Sequence, residues 1–438
     1  MTSLHSEFIS AATWYGTSQL ADELLAAHPE LAASDIHTAA ILGDEAAVRR
    51  FLAADPSRAT ATCEPYGGNP LTHLCMSKYL RLDPARSDAF VRAATALLDA
   101  GADPNGGFWT TGNNPELETP LYGAAGIAHH GPLTRLLLDR GADPNDDEAC
   151  YHSPEDYNDG GMRALVESGR VNADNLTMML VRKHDWHDVG GARWLLEHGA
   201  DPNHWGKREW SPLHHAIRRD NALPMIELLL DHGADATRKK DGASAVELAA
   251  RRGRGDLLAL FEARGIPVEL HGADALLGAC ALHDEPLVQM LAASQPNHVA
   301  DIVAYGGYCL AMFAGTRNTT GCRLLLDLGV DVNATYSGDG YWDLTPGSNA
   351  LHVASWKGVE STVKLLLERG AMVNATDAKG RTPLVLAVKA CVDSYWTDRR
   401  TPESIRTLLL AGANPGDVSV PTGYAEADLL LTGFQEGT

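Results

Sequence analysis

Between Ser211 and Asp235 the apolar residues recur with helical spacing in two short bursts. Ser211 suits a helix N-cap and Pro212 the first helical position, where its missing N–H costs nothing. Leu213 and Ala216 supply one buried stripe. The polar run Arg219-Asp220-Asn221 breaks the helix, and Met225, Ile226, Leu228, Leu229 and Leu230 start a second one, which stops at Gly233 in a left-handed cap. The pattern predicts an inner helix, a tight turn and an outer helix.

The same unit returns along the chain. Gly-Ala-Asp-(Pro/Ala/Val)-Asn or a close relative closes a leucine-rich helix at Gly101, Gly141, Gly199, Gly233, Gly329, Gly370 and Gly412, with weaker versions at Gly169 and Gly265. The interval from Gly265 to Gly329 is about two periods and holds a unit without the glycine, near 273–300. The underlying period is about 33 residues. Openers recur as well: Ser211-Pro212-Leu213-His214, Asn349-Ala350-Leu351-His352, Thr119-Pro120-Leu121-Tyr122 and Thr382-Pro383-Leu384-Val385.

In these openers and terminators the chain resembles the ankyrin-repeat family. The resemblance implies an all-α solenoid of about twelve helix-turn-helix units linked by β-hairpin fingers, with a hollow side built from inner helices and fingers where partners bind. It divides the chain into an N-terminal capping repeat (1–34), an array of about eleven units (35–415) and a C-terminal cap and tail (416–438). Copies near 149–172 and 273–300 are degenerate and placed by spacing alone. His214 and His352 fall on the family's opener histidine, whose expected role is to bond backbone between repeats.

Composition narrows the function. A formal net charge of -21 opposes a large phosphate-binding face, so nucleic acid is not an expected partner. Only Lys207 to Arg254 is mildly basic. Seven scattered cysteines, none in a CxxC pair, indicate neither a disulfide framework nor a zinc cluster; no metal or cofactor is expected. No apolar run reaches 18 residues, and the first residues lack a signal-peptide pattern. A monomeric cytoplasmic protein without a membrane partner is the expectation.

Departures from the repeat point to a binding surface. Two fingers are long, Gly106 to Glu118 and Ala334 to Ser348, both glycine-rich and both carrying a tryptophan among acids. Extra residues also lengthen the turns at Lys78 to Asp88, His184 to Gly191 and Cys391 to Glu403. Of nine tryptophans, only Trp194 lies on an outer helix, more than packing alone requires on the hollow side. From Asp143 to Asp159 seven acids surround Tyr151, His152 and Tyr157 with no lysine or arginine. Rings beside carboxylates suit a cationic group or a stacked sugar. The predicted binding residues are Trp109, Tyr122, His129, Tyr151, His152, Tyr157, Trp186, Trp205, Trp210, Tyr308, Tyr336, Tyr341, Trp342, Asp343, Trp356 and Trp396.

Catalytic signatures are weak. His184-Asp185-Trp186-His187 offers two ligands where zinc wants three or four, and there is no GxSxG and no P-loop GK[ST]. The primary expectation is a non-catalytic scaffold that holds a protein or peptide in an aromatic- and acid-lined groove. The rivals are an enzyme or small-molecule binder, for a cationic or sugar-like ligand, whose long fingers close over acid–base residues, and an adaptor using its convex side.

Overall fold

The computed structural model of the chain describes residues 3–206, 209, 211–393 and 400–436. Those residues form two compact units, Met1–Asp235 and Ala236–Thr438. The first unit holds seven inner–outer helix pairs, from Leu4–Ala12 with Gln19–Ala27 to Pro212–Arg218 with Leu223–Asp231. The second holds five, from Ala245–Arg251 with Gly255–Ala263 to Pro383–Asp393 with Glu403–Leu410, and ends on the helix Ala425–Glu436. An additional helix, Pro296–Ala304, follows the glycine-less repeat. The fold is an all-α repeat solenoid. Among the described residues no helix is long and apolar enough to cross a membrane.

Local chemistry sets each unit. Asn69, Thr119 and Asn349 accept backbone N–H groups of the inner helices that they open, and Ser244 forms a reciprocal box with Glu247. Ser211 occupies the N-cap position without capping; its hydroxyl bonds the His214 ring instead (2.8 Å). His352 bonds the Arg381 carbonyl of the following repeat through Nε2 (3.2 Å), as the opener histidine should. Outer-helix leucines such as Leu137, Leu195, Leu229 and Leu366 are fully buried. The terminator Gly233 takes φ of +85°, a left-handed value that a side chain would strain.

Successive repeats are also tied by the asparagine that closes the terminator. Asn203 Nδ2 donates to the Gly233 carbonyl (2.7 Å), and its Oδ1 accepts from Asp235 N–H (2.8 Å). Asn105 does the same to Gly141 and Asp143, Asn145 to Arg170 and Asn172, Asn333 to Gly370 and Met372, and Asn374 to Gly412 and Asn414. Each amide satisfies both a donor and an acceptor at the end of the next outer helix, groups that a helix terminus leaves open.

Candidate functional site

In the first unit the inner-helix ends and fingers carry a continuous row of rings and charges. Trp14 lies edge-on to Tyr66, Phe108 and Tyr122, with centroids 6.0–6.3 Å apart, and Tyr66 stacks on Phe108 at 5.2 Å. Tyr122 tilts against His152 at 5.2 Å, and its hydroxyl lies 3.5 Å from that of Tyr15. His152 stands between Glu148 (3.4 Å) and Glu155 (3.1 Å). Burial opposes its charge, but the two carboxylates prevail and carry its pKa up to about 9.

The row continues through Arg182, on the long inner helix Ala173–Asp185. Its guanidinium lies 4.1 Å above the Tyr151 ring and pairs with Glu155 and Asp185. Asp185 in turn accepts from His215 (2.8 Å) and Arg219 (2.6 Å). Next to Arg182, fully buried Lys183 bonds Asp159 (2.6 Å) and Asp188 (2.8 Å). Glu155 and Asp159 therefore meet their counter-charges one repeat later in the sequence. Glu118 is 4% exposed, and burial, then the charges of Glu148, Glu116 and Asp146, push it up to about 7. Its buried Oε2 has no hydrogen-bond partner.

Beside this row, the finger 103–119 and the segment 143–148 enclose a hollow of about 640 Å³. Glu116, Asp143, Asp146, Asp147 and Glu148 line it, and its described lining contains no lysine or arginine. Trp109, in the strand Phe108–Trp109 paired with Leu117–Glu118, is 63% exposed, and Tyr157 is 68% exposed.

The predicted residues divide accordingly. Tyr122, Tyr151 and His152 meet in one row, while Tyr157 and Trp186 are tied to each other by the bond from the Tyr157 hydroxyl to the Trp186 carbonyl (2.9 Å). His129 is half-buried, and burial lowers its pKa although the Asp156 carboxylate opposes this. Trp205 lies edge-on to His214 at 6.4 Å, apart from the row's contacts described above. Trp210 and Trp396 lie outside the described residues. Glu118, Glu155, Arg182 and Asp185 were not among the binding residues predicted from the sequence. A signal did exist: Arg182 follows Tyr151 by about one repeat period, the spacing that stacks side chains of adjacent units.

In the second unit the long, glycine-rich finger 334–348 is packed down on its neighbours. Tyr336, Trp342 and Trp356 are 8%, 4% and 9% exposed and pack with Met312, Leu344, Val353 and Leu386, with Tyr341 against them. The finger is closed by backbone bonds between Asp339 and Leu344 and between Tyr336 and Ser348. Asp343 pairs with Lys379 and Arg381, both at 2.7 Å. These aromatic rings are buried because the finger folds onto its neighbours, so the tryptophan surplus is partly a packing requirement. Tyr308, 41% exposed, lines a separate hollow of about 530 Å³ with Arg251, His271, Asp274, Asp301 and Tyr305.

Comparison with known proteins agrees with the repeat architecture. The family described as "Ankyrin repeats (many copies)" matches residues 195–249, and "Ankyrin repeats (3 copies)" matches 276–377. Human Rabankyrin-5 is 43% identical over 75 residues, 16% of this chain and 6% of the relative. Human 2-5A-dependent ribonuclease is 37% identical over 100 residues, 22% of this chain and 13% of the relative. A putative ankyrin repeat protein of Rickettsia bellii (strain RML369-C) is 33% identical over 94 residues, 18% of this chain and 38% of the relative. The matches thus span well under half the length of these relatives. The crystal structure of the human ASB11 ankyrin repeat domain aligns over 49% of this chain and 90% of its own, at 25% identity and a TM-score of 0.38.

Proposed function

The chain is an ankyrin-repeat protein, and because ankyrin repeats generally mediate protein–protein interaction, we propose that its first unit binds a protein segment bearing lysine or arginine beside an apolar residue. The observation that carries this is the hollow lined by five carboxylates and no basic group, flanked by exposed Trp109. Carboxylates attract the cationic side chain, and an exposed indole offers a face for it or for its apolar neighbour. Tyr157 and the Tyr122–His152–Arg182 row extend the surface with hydrogen-bonding groups already held in place by their pairs. Prearranged side chains reduce the ordering cost of binding. Trp186, Trp205 and His129 belong to the proposal as flanking groups of the same unit.

The test is a peptide array of basic–apolar sequences probed with the full chain, followed by titration of the strongest binder. Trp109→Ala should weaken binding by about 1–3 kcal/mol, the range of an aromatic anchor. The double change Glu116→Gln with Asp147→Asn should flatten the salt dependence, because both acids are exposed and neither neutral amide attracts a cation. Binding indifferent to all three changes removes this face from the mechanism.

A second reading, a small-ligand or acid–base site, is favoured by Glu118, a buried carboxyl with an unpartnered oxygen close enough to Tyr122 and His152 for their charges to interact. A hydroxylated or cationic small molecule displaced by Glu118→Gln, with the basic peptides unaffected, would select it.

A further inference from the structure

Histidines and a cysteine far apart in sequence meet where the second and third repeats stack. His37 lies in the first turn of the inner helix Ile36–Ile41, and His73 on the next inner helix, Pro70–Cys75. Their Nδ1 atoms are 3.1 Å apart. Cys63 stands at the base of the intervening finger, where its N–H donates to the Gly68 carbonyl (3.2 Å) and its own carbonyl accepts from Gly67 (2.9 Å). One ring nitrogen from each histidine and the Cys63 sulfur all lie within 4.8 Å of one another.

Protein groups alone serve this cluster poorly. The two Nδ1 atoms face each other at hydrogen-bond distance, so only one of them carries a hydrogen. His73 is 0% exposed and its Nε2 has no hydrogen-bond partner, so either tautomer leaves a buried polar atom unsatisfied. Imidazole nitrogens and a cysteine thiolate are donors that zinc selects, and one such atom from each residue already lies within the span of a single ion. A carboxylate is at hand: Asp35, the N-cap of the His37 helix, contacts His5, whose ring lies edge-on to His37 at 6.4 Å.

We propose that His37, Cys63 and His73 bind one Zn²⁺ ion, with a fourth position open to water. Each ligand comes from a different segment, so the ion clips the second repeat, its finger and the third repeat together. On binding, the sulfur–hydrogen bond breaks, a zinc–sulfur bond forms and the proton leaves to solvent, with no change of oxidation state. The thiolate offsets one of the ion's two charges, and the Asp35 carboxylate lies close enough to His37 and Cys63 to act on both. The spacing argument against a zinc cluster weighed neighbours in sequence, whereas stacking supplies neighbours one period apart.

The test uses the full chain, stripped with a chelator and titrated with Zn²⁺ alone against a chromophoric competitor. One tightly held equivalent is expected, accompanied by proton release and a rise in melting temperature. Co²⁺ in its place should show tetrahedral d–d absorption and a thiolate-to-cobalt charge-transfer band. Cys63→Ser should abolish that band and weaken Zn²⁺ binding by at least about a hundredfold, beyond what loss of an outer-shell partner costs. Helical circular dichroism checks that the variant folds. Absence of stoichiometric binding by the unmodified chain, or Co²⁺ bound without the thiolate band, leaves only a hydrogen-bonded histidine pair and overturns the proposal.

Discussion

Replacing Trp342 by alanine tests how the second unit is built. The indole is 4% exposed, sits in the turn Gly340–Trp342, and packs against Met312, Val353 and Leu386 from three inner helices. Its face also receives the Lys357 ammonium, 3.1 Å from the ring centroid. Truncating a buried aromatic side chain costs about 3–5 kcal/mol in lost transfer and cavity terms. Loss of the cation–π contact adds to this, because Lys357 is itself buried. Trp109→Ala is the control: at 63% exposure it should change stability by no more than about 0.5 kcal/mol. Because repeat arrays can lose neighbours stepwise, the informative assay is hydrogen exchange of the helix Ala350–Trp356, read by mass spectrometry alongside urea unfolding. Protection there should fall by at least about a hundredfold, the ratio that 3 kcal/mol implies. If both tryptophan variants lose less than about 1 kcal/mol, the finger is not part of the core and the packing argument fails.

Two further outcomes follow from the first unit. Asn203→Ala removes two bonds to the next repeat and should cost about 1–2 kcal/mol, since both partners lie near water and regain hydration; a loss near zero by urea denaturation would show that the ladder does not hold neighbours together. His152 has a folded pKa of about 9 against an ordinary value of 6.5, so its pairing contributes fully below pH 6.5 and is lost as pH rises through 9. The first unit should lose about 1–3 kcal/mol across that window, and His152→Gln should flatten the profile; an unchanged slope in the variant would assign it to other groups.

Much of the frame was legible because its signals are local. Gly233 and its counterparts end helices through their own backbone conformation, and Thr119, Asn349 and Ser244 cap through neighbours within three residues. What depends on the next repeat was harder to see. The asparagines at 105, 145, 203, 333 and 374 were visible as part of a terminator, but their partners lie one period along the chain. In the finger 334–348, length and glycine content drew notice, whereas Tyr336, Trp342 and Leu344 form an even-spaced apolar set that Met312 and Leu386 cover from adjacent repeats. That even spacing was the missed clue to a folded finger.

The same one-period shift decides which acids remain available for binding. Counted along the chain, Asp143 to Asp159 carries seven acids and no lysine or arginine. In the stack, Arg182 pairs with Glu155 and Lys183 with Asp159, and these later acids become part of the scaffold. Their charges cost desolvation that the buried cations offset, so they fix the turn 153–160 rather than await a ligand. Among the earlier acids Glu148 faces His152, and the hollow's described lining supplies no lysine or arginine to Asp143, Asp146, Asp147 or Glu116. A charge census by sequence window therefore overstates the breadth of the acidic surface and blurs its position. The binding proposal rests on the narrower set, and substitutions at Glu155 or Asp159 should disturb folding before they disturb recognition.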